Sequence, residues 1–151
     1  MSLEKYLGEN LENLNDVLIP YVEDIVNAKE NLVLKGKTYK EANMEQAQWM
    51  SYYDERKVEL KTILEYVDIE IERIRTKLIR GFEKHPRNLS DTMRRQYVNN
   101  EPELLNIQKK RLVIQELYGK YVSLVDAFKQ RGYSLRNLTI LIQANVEDSI
   151  L

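Results

Sequence analysis

At 151 residues the chain is long enough for one domain with one buried core, and its composition excludes several classes of protein. It has no cysteine, which removes disulfides and thiolate metal sites, and a single histidine, which cannot supply the paired Glu-x-x-His motifs of a bundle di-metal centre. The formal net charge of −1 conceals two opposed halves: residues 1–70 hold 8 Lys/Arg against 15 Asp/Glu, and residues 71–151 hold 15 against 9. A charged fraction of 31% with five glycines suits long, solvent-facing helices better than a sheet protein.

The first segment, residues 1–36, is the acidic one. From about residue 3 to 34 it has helical spacing, with Leu7, Leu11, Leu14 and Leu18 followed by Val22, Ile25 and Val26. Pro20 is expected to break or kink this helix after Leu18 or Ile19, and Gly36 to close the segment. No apolar run follows a basic start, so no signal peptide is expected. The longest apolar stretch, Val17 to Val22, is far short of the ~20 residues a membrane span needs. A soluble, intracellular protein is the expectation.

Thr38-Tyr39-Lys40-Glu41 is a capping box and opens the second segment, residues 38–85. No Pro or Gly follows until Gly81, which predicts one helix from about 39 to 84, roughly 70 Å long. Met50, Lys57, Leu64, Ile71 and Leu78 alternate with Tyr53, Leu60, Val67, Ile74 and Gly81 at intervals of three and four, the pattern of a packed seam. Lys57 and Gly81 interrupt it. The helix is expected to stop at His85-Pro86, because the residue before proline is pushed out of the α region.

Residues 86–100 read as a basic loop with a short helix capped by Ser90 or Asp91. Asn100-Glu101-Pro102-Glu103 then starts a second long helix, expected over 101–131. Its seam is Leu104, Ile107, Arg111, Ile114, Tyr118, Tyr121, Val125 and Phe128. Gly132 is a natural left-handed stop, and Ser134 can cap a last helix over 134–147. Nothing predicts a β-hairpin. The expected class is all-α: two long seamed helices paired antiparallel as a helical hairpin, with shorter N- and C-terminal helices. Ile63, Ile69, Leu105, Leu112 and Val122 widen the apolar stripes beyond what two helices bury. The extra surface could face the terminal helices or another copy of the chain, and a homo-oligomer is the favoured expectation.

Catalysis finds little footing. His85 lies at a helix end with no supporting triad motif, and there is no Gly-rich phosphate loop. Glu65, Asp68, Glu70 and Glu72 read better as a solvated acidic face than as a cation site. No enzyme activity, catalytic residue, metal or cofactor is expected. The informative segment runs from Arg73 to Arg95, with eight basic residues against two acidic ones. Arg73, Lys77, Arg80 and Lys84 are spaced four, three and four, so they share a helix face. Arg75 lies beside the seam, and Arg87, Arg94 and Arg95 continue the charge. Guanidinium forks suit phosphates, and Phe82, His85 and Tyr97 offer rings for unpaired bases, so sequence-tolerant single-strand binding is the expectation. The competing reading is helix-end charge complemented by Glu70–Arg73 and Glu72–Arg75 pairs at i,i+3 spacing.

The run from Tyr121 to Leu138, with its Asp126-Ala-Phe-Lys-Gln-Arg-Gly-Tyr133 stretch, resembles the end of the UvsY-type recombination mediators of T4-like phages. Glu103-Leu-Leu is similar to the start of that family's second long helix. Tyr39-Lys-Glu-Ala-Asn43, with Trp49, Tyr52 and Tyr53, is similar to the start of its first. The similarity covers roughly residues 38–140 and is one of pattern and order. It implies an all-helical, ring-forming protein of the phage-infected bacterial cytoplasm. Such a protein binds single-stranded DNA and helps load a RecA-like recombinase onto strands coated with single-strand-binding protein. By position it implies DNA contacts at Arg73, Arg75, Lys77 and Arg80, and assembly through the C-terminal helices. The chain departs from the family at Gly81-Phe82-Glu83-Lys84-His85-Pro86, where the family has a Tyr-Tyr-rich turn, and in its longer acidic N-terminus. The assembly implication coincides with the apolar set Tyr121, Val125, Phe128, Leu135, Leu138 and Leu141. An ordinary intrachain core is the equal alternative for those six.

Overall fold

A computed structural model describes residues 13–84 and 89–144, and among these every regular element is a helix. There are four: α1 (Leu14–Leu32), α2 (Tyr39–Glu83), α3 (Asp91–Asn99) and α4 (Pro102–Gln143). Leu7, Leu11, His85, Pro86, Arg87 and residues 145–147 lie outside the described residues.

Local chemistry explains most of the boundaries. Gly36, at φ +84°, makes the left-handed turn between α1 and α2. The capping box closes on both sides: Glu41 N–H donates to Thr38 Oγ1 at 3.2 Å, and Thr38 N–H donates to Glu41 Oε2 at 2.9 Å. The Ser90 hydroxyl caps α3 by accepting from Met93 N–H at 3.3 Å. Asn100 closes α3 rather than opening α4, which starts at Pro102 with Glu101 as its N-cap residue.

Two expected helix ends do not occur. α1 runs through Pro20 without ending, because Leu18 and Tyr21, on either side of it, are both buried and hold the two turns in one line. α4 runs through Gly132, so the separate helices over 101–131 and 134–147 are replaced by one continuous element. Arg131 and Leu135 flank the glycine and are both buried, which keeps the chain helical there. Gly132 answers to crowding instead: a Cβ on it would stand 2.9 Å from Gln46 Nε2. The Ser134 hydroxyl caps nothing and donates back to the Gln130 carbonyl at 3.1 Å.

α2 and α4 form the body. Their contacts run in reverse order along the two helices. Tyr39 meets Thr139, Gln46 donates to the Phe128 carbonyl, Tyr53 stacks on Phe128, Asp68 pairs with Arg111, and Lys77 faces Glu103. The buried line on α2 is Tyr53, Leu60, Ile63, Val67, Ile71 and Ile74; the alternate seam positions Met50, Lys57, Leu64 and Leu78 are half-buried. On α4 the expected seam is buried apart from half-buried Arg111 and Tyr118, with Leu117 added. At about 1.5–3 kcal/mol for each fully buried aliphatic or aromatic side chain, this contact dominates the fold. Lys57, the seam interruption, pairs with Asp54 at 2.6 Å.

α1 lies across the middle of this body, held by an aromatic and ionic clasp. Tyr121 donates to the Tyr21 carbonyl at 2.7 Å, and Asn31 donates to the Tyr53 hydroxyl at 2.9 Å. Arg56 stands 4.9 Å from the centre of the Tyr21 ring and pairs with Asp24 at 3.1 Å and Glu59 at 3.2 Å. The Tyr21 hydroxyl donates to Glu59 at 2.7 Å. Burial first, then the Glu59 carboxylate, pushes the Tyr21 phenol well above its ordinary value; burial does the same to Tyr121.

Candidate nucleic-acid interface

The C-terminal third of α2 carries the basic stripe. Arg73, Lys77 and Arg80 are exposed on one face and, with Glu72 and Thr76, line an open groove of about 490 Å³. Each cation has a distinct setting. Arg73 grips Glu70 through two bonds, Nε to Oε2 at 2.8 Å and Nη2 to Oε1 at 2.5 Å, yet its side chain stays 60% exposed. The Arg73 fork holds the Glu70 carboxyl below the usual carboxylate range. Arg75 takes Glu72 at 2.5 Å, and Lys77, 64% exposed, reaches Glu103 of α4 at 3.8 Å. Arg80, Lys84 and Arg95 are exposed and make no ion pair among the described residues.

α3 caps this end of the body. Val98 is buried, and Tyr97 stacks on Phe82 with ring centres 5.7 Å apart. This stack brings the helix carrying Arg94 and Arg95 to the end of α2 that carries Arg80 and Lys84. Arg94 is half-buried and lies 3.9 Å from Asp91. Two of the three rings expected to offer themselves to bases, Phe82 and Tyr97, stack on each other, and Tyr97 remains half exposed. Arg87 and His85 lie outside the described residues, so the stripe has a structure at Arg73, Arg75, Lys77, Arg80, Lys84, Arg94 and Arg95.

Three of the acidic residues nearby are engaged, Asp68 by Arg111, Glu70 by Arg73 and Glu72 by Arg75, whereas exposed Glu83 makes no ion pair among the described residues. Among the described residues no three His, Asp or Glu side chains gather as a metal-holding group. Among them, too, no helix is long and apolar enough to cross a membrane.

The six residues expected at an oligomer interface divide. Tyr121, Val125, Phe128 and Leu135 are buried within the chain, Leu138 is half-buried, and Leu141 is exposed. Of the off-seam residues, Ile63 joins the core, whereas Ile69, Leu105, Leu112 and Val122 stay exposed.

Sequence reasoning missed the Tyr21–Arg56–Tyr121 clasp and the Phe82–Tyr97 stack. The available signal was ten tyrosines in 151 residues, a density that calls for polar partners once the rings are buried. No known protein family, curated protein or solved structure matches the chain.

Proposed function

We propose that this protein is a non-enzymatic, homo-oligomeric single-stranded-DNA-binding protein acting as a recombination mediator, which helps load a RecA-like recombinase onto strands coated with single-strand-binding protein. The observation that carries the DNA-binding part is the exposed stripe at the end of α2, where Arg80 and Lys84, with Arg95 on α3, make no ion pair among the described residues. Cations without partners present a field that phosphates answer, and release of counterions from the strand drives the association. The mediator role, its recombinase and coat-protein partners and its phage setting rest on the UvsY-type pattern over residues 38–140. In this reading α2 and α4 form an antiparallel hairpin that is the rigid unit of a homo-oligomer, and repeated subunits turn weak phosphate contacts into firm binding.

A second reading, a structural helical adaptor of phage assembly that never meets nucleic acid, draws on a specific observation. Arg73, Arg75 and Arg94 each lie beside a carboxylate three residues away on their own helix. Titration of a labelled single-stranded oligonucleotide at two salt concentrations separates the two. DNA binding predicts affinity that falls with salt, with a log–log slope of about −0.7 for each phosphate contacted, and a shallower slope when Arg73 and Lys77 are both changed to alanine. A double variant that binds as the parent does moves the site elsewhere. Absence of salt-dependent binding by the parent favours the adaptor.

A further inference from the structure

Cations alone do not select a single strand. A duplex carries the denser phosphate charge, so a stripe of Arg and Lys holds it at least as well as an unpaired strand. The choice needs a group that meets an unpaired base, and an exposed aromatic ring is the common one. Among the described residues two aromatic side chains are exposed, Tyr97 at 50% and Tyr133 at 59%. Tyr133 lies beside Gln46 and Met50, more than 20 residues back along α2 from the stripe. Tyr97 is on α3, at the end of α2 that carries Arg80 and Lys84. Its ring lies nearly parallel to that of Phe82, with centres 5.7 Å apart and planes 26° apart. Phe82 is half-buried and packs against the core, so the pair is anchored and the Tyr97 ring is ordered before any ligand arrives.

Arg94 stands one turn before Tyr97 on the same side of α3. Its guanidinium makes no hydrogen bond among the described residues: Nε is enclosed without a partner, and the Asp91 carboxylate stands off at 3.9 Å. The i,i+3 spacing puts the two Cβ atoms about 5–6 Å apart, close to the reach from a base to its own phosphate. Exposed Glu83 and Asp91 and half-buried Glu101 lie nearby, so the field here is mixed and the ring has to supply the selectivity. We propose that an unpaired nucleobase stacks on Tyr97, on the side of the ring away from Phe82, while Arg94 holds its phosphate. This inference rests on the single-strand reading above and names the group that makes the site prefer single strands. Arg80 and Lys84 each lie about 200° round α2 from Phe82, so a strand held by the stripe turns round the helix to reach the ring. A single strand makes that turn. A duplex, stiff over about 50 nm, does not, and its bases already stack on one another.

Anisotropy of three labelled oligonucleotides of equal length tests it on the full chain: a single strand, the same backbone with abasic sites in place of bases, and a duplex. Circular dichroism checks that each variant stays helical. Tyr97→Ala is expected to weaken binding of the single strand about fivefold to a hundredfold, the usual worth of one stacked base. The abasic strand and the duplex are expected to bind within about twofold of the parent. The salt slope for the single strand is expected to stay the same, because stacking releases no counterions. Tyr97→Leu keeps an apolar contact with Phe82 but loses the flat ring, and is expected to be as weak as Tyr97→Ala; Tyr97→Trp is expected to match or exceed the parent. Single-strand binding unchanged in both Tyr97→Ala and Tyr97→Leu overturns the stacking subsite, and so does an equal loss on the abasic strand; either leaves the single-strand reading standing. A parent with no salt-dependent binding to the single strand overturns that reading and this subsite with it.

Discussion

Glu70→Gln is expected to strengthen binding of a single-stranded oligonucleotide about twofold to fivefold at low salt. Glu70 now occupies both arms of the Arg73 fork, at 2.5 and 2.8 Å. A phosphate that engages Arg73 must displace that carboxylate and then sit about 7 Å from a negative charge. Two unit charges at that distance in water repel by roughly 0.6 kcal/mol, a factor of about 2.5 in affinity, before salt screens it. Freeing the fork removes an exposed i,i+3 pair whose loss the ligand must otherwise overcome, which adds a factor of about two. The amide keeps the shape of the side chain, so helical content is expected to stay the same. Anisotropy of a labelled oligonucleotide at about 50 and 200 mM salt reads the effect, and the gain is expected to shrink at the higher salt as the screening length shortens. Unchanged or weaker binding by Glu70→Gln at low salt would refute the placement of phosphate at Arg73, whatever the parent's affinity.

Arg131 is 5% exposed, and its Nε and Nη2 find no hydrogen bond, while Nη1 donates to Gln46 Oε1 at 2.7 Å and the Ala42 carbonyl at 3.2 Å. Arg131→Met is therefore expected to melt within about 1 kcal/mol of the parent or above it, and Arg131→Ala about 2–4 kcal/mol below it, by denaturant titration. Stability is expected to fall above about pH 10. The Tyr21 and Tyr121 phenols are raised in the folded state from the ordinary value of 10.0, so the unfolded chain loses these protons first. Each then removes about 1.4 kcal/mol per pH unit until the folded phenol also ionises, and urea midpoints from pH 9 to 11.5 read the slope. Gly119 is helical, and a Cβ there meets nothing within 4 Å, so Gly119→Ala is expected to add about 0.5–1 kcal/mol. No gain would mean that the space is occupied in solution.

The fold was legible where one period or one cap settles a choice. The seams of α2 and α4 repeat at three and four over many turns, and the Thr38–Glu41 box marks a helix start within a residue. It was illegible where a local signal lost to a distant contact. Pro20 and Gly132 both read as breaks, yet Tyr21 is tied to Tyr121 and Arg131 to Ala42, so tertiary packing carries the helix through each. The basic stripe was readable as composition and spacing, and the Glu70–Arg73 and Glu72–Arg75 pairs followed from their separation. The Lys77–Glu103 approach and the docking of α3 through Phe82 and Tyr97 depend on which helices are neighbours, which no local pattern states. For the apolar residues of α4, periodicity shows that Tyr121 and Phe128 are covered but is silent on what covers them; the structure puts Tyr21 and Tyr53 there.

The middle of acidic α1 and the basic end of α2 are separated in space, and that separation decides whether their charges cancel. Asp24 of α1 binds Arg56 at 3.1 Å, which fixes the middle of the acidic helix beside residue 56 of α2. From there to Lys77 the helix advances about 1.5 Å per residue, or roughly 30 Å in all. The screening length in physiological salt is about 8 Å, so the interaction between the two regions decays over nearly four such lengths. A strand approaching the end of α2 therefore meets Lys77, Arg80 and Lys84 and little of the field of Glu23 and Glu30. A partner approaching α1 meets the reverse. A net charge of −1 is thus no obstacle to polyanion binding in this fold, because the rigid length of α2 keeps the opposing charges from averaging. The same distance requires that E23K/E30K leave the oligonucleotide affinity of an isolated subunit within about a factor of two. A larger gain would mean that α1 lies closer to the basic end than its clasp with Arg56 allows.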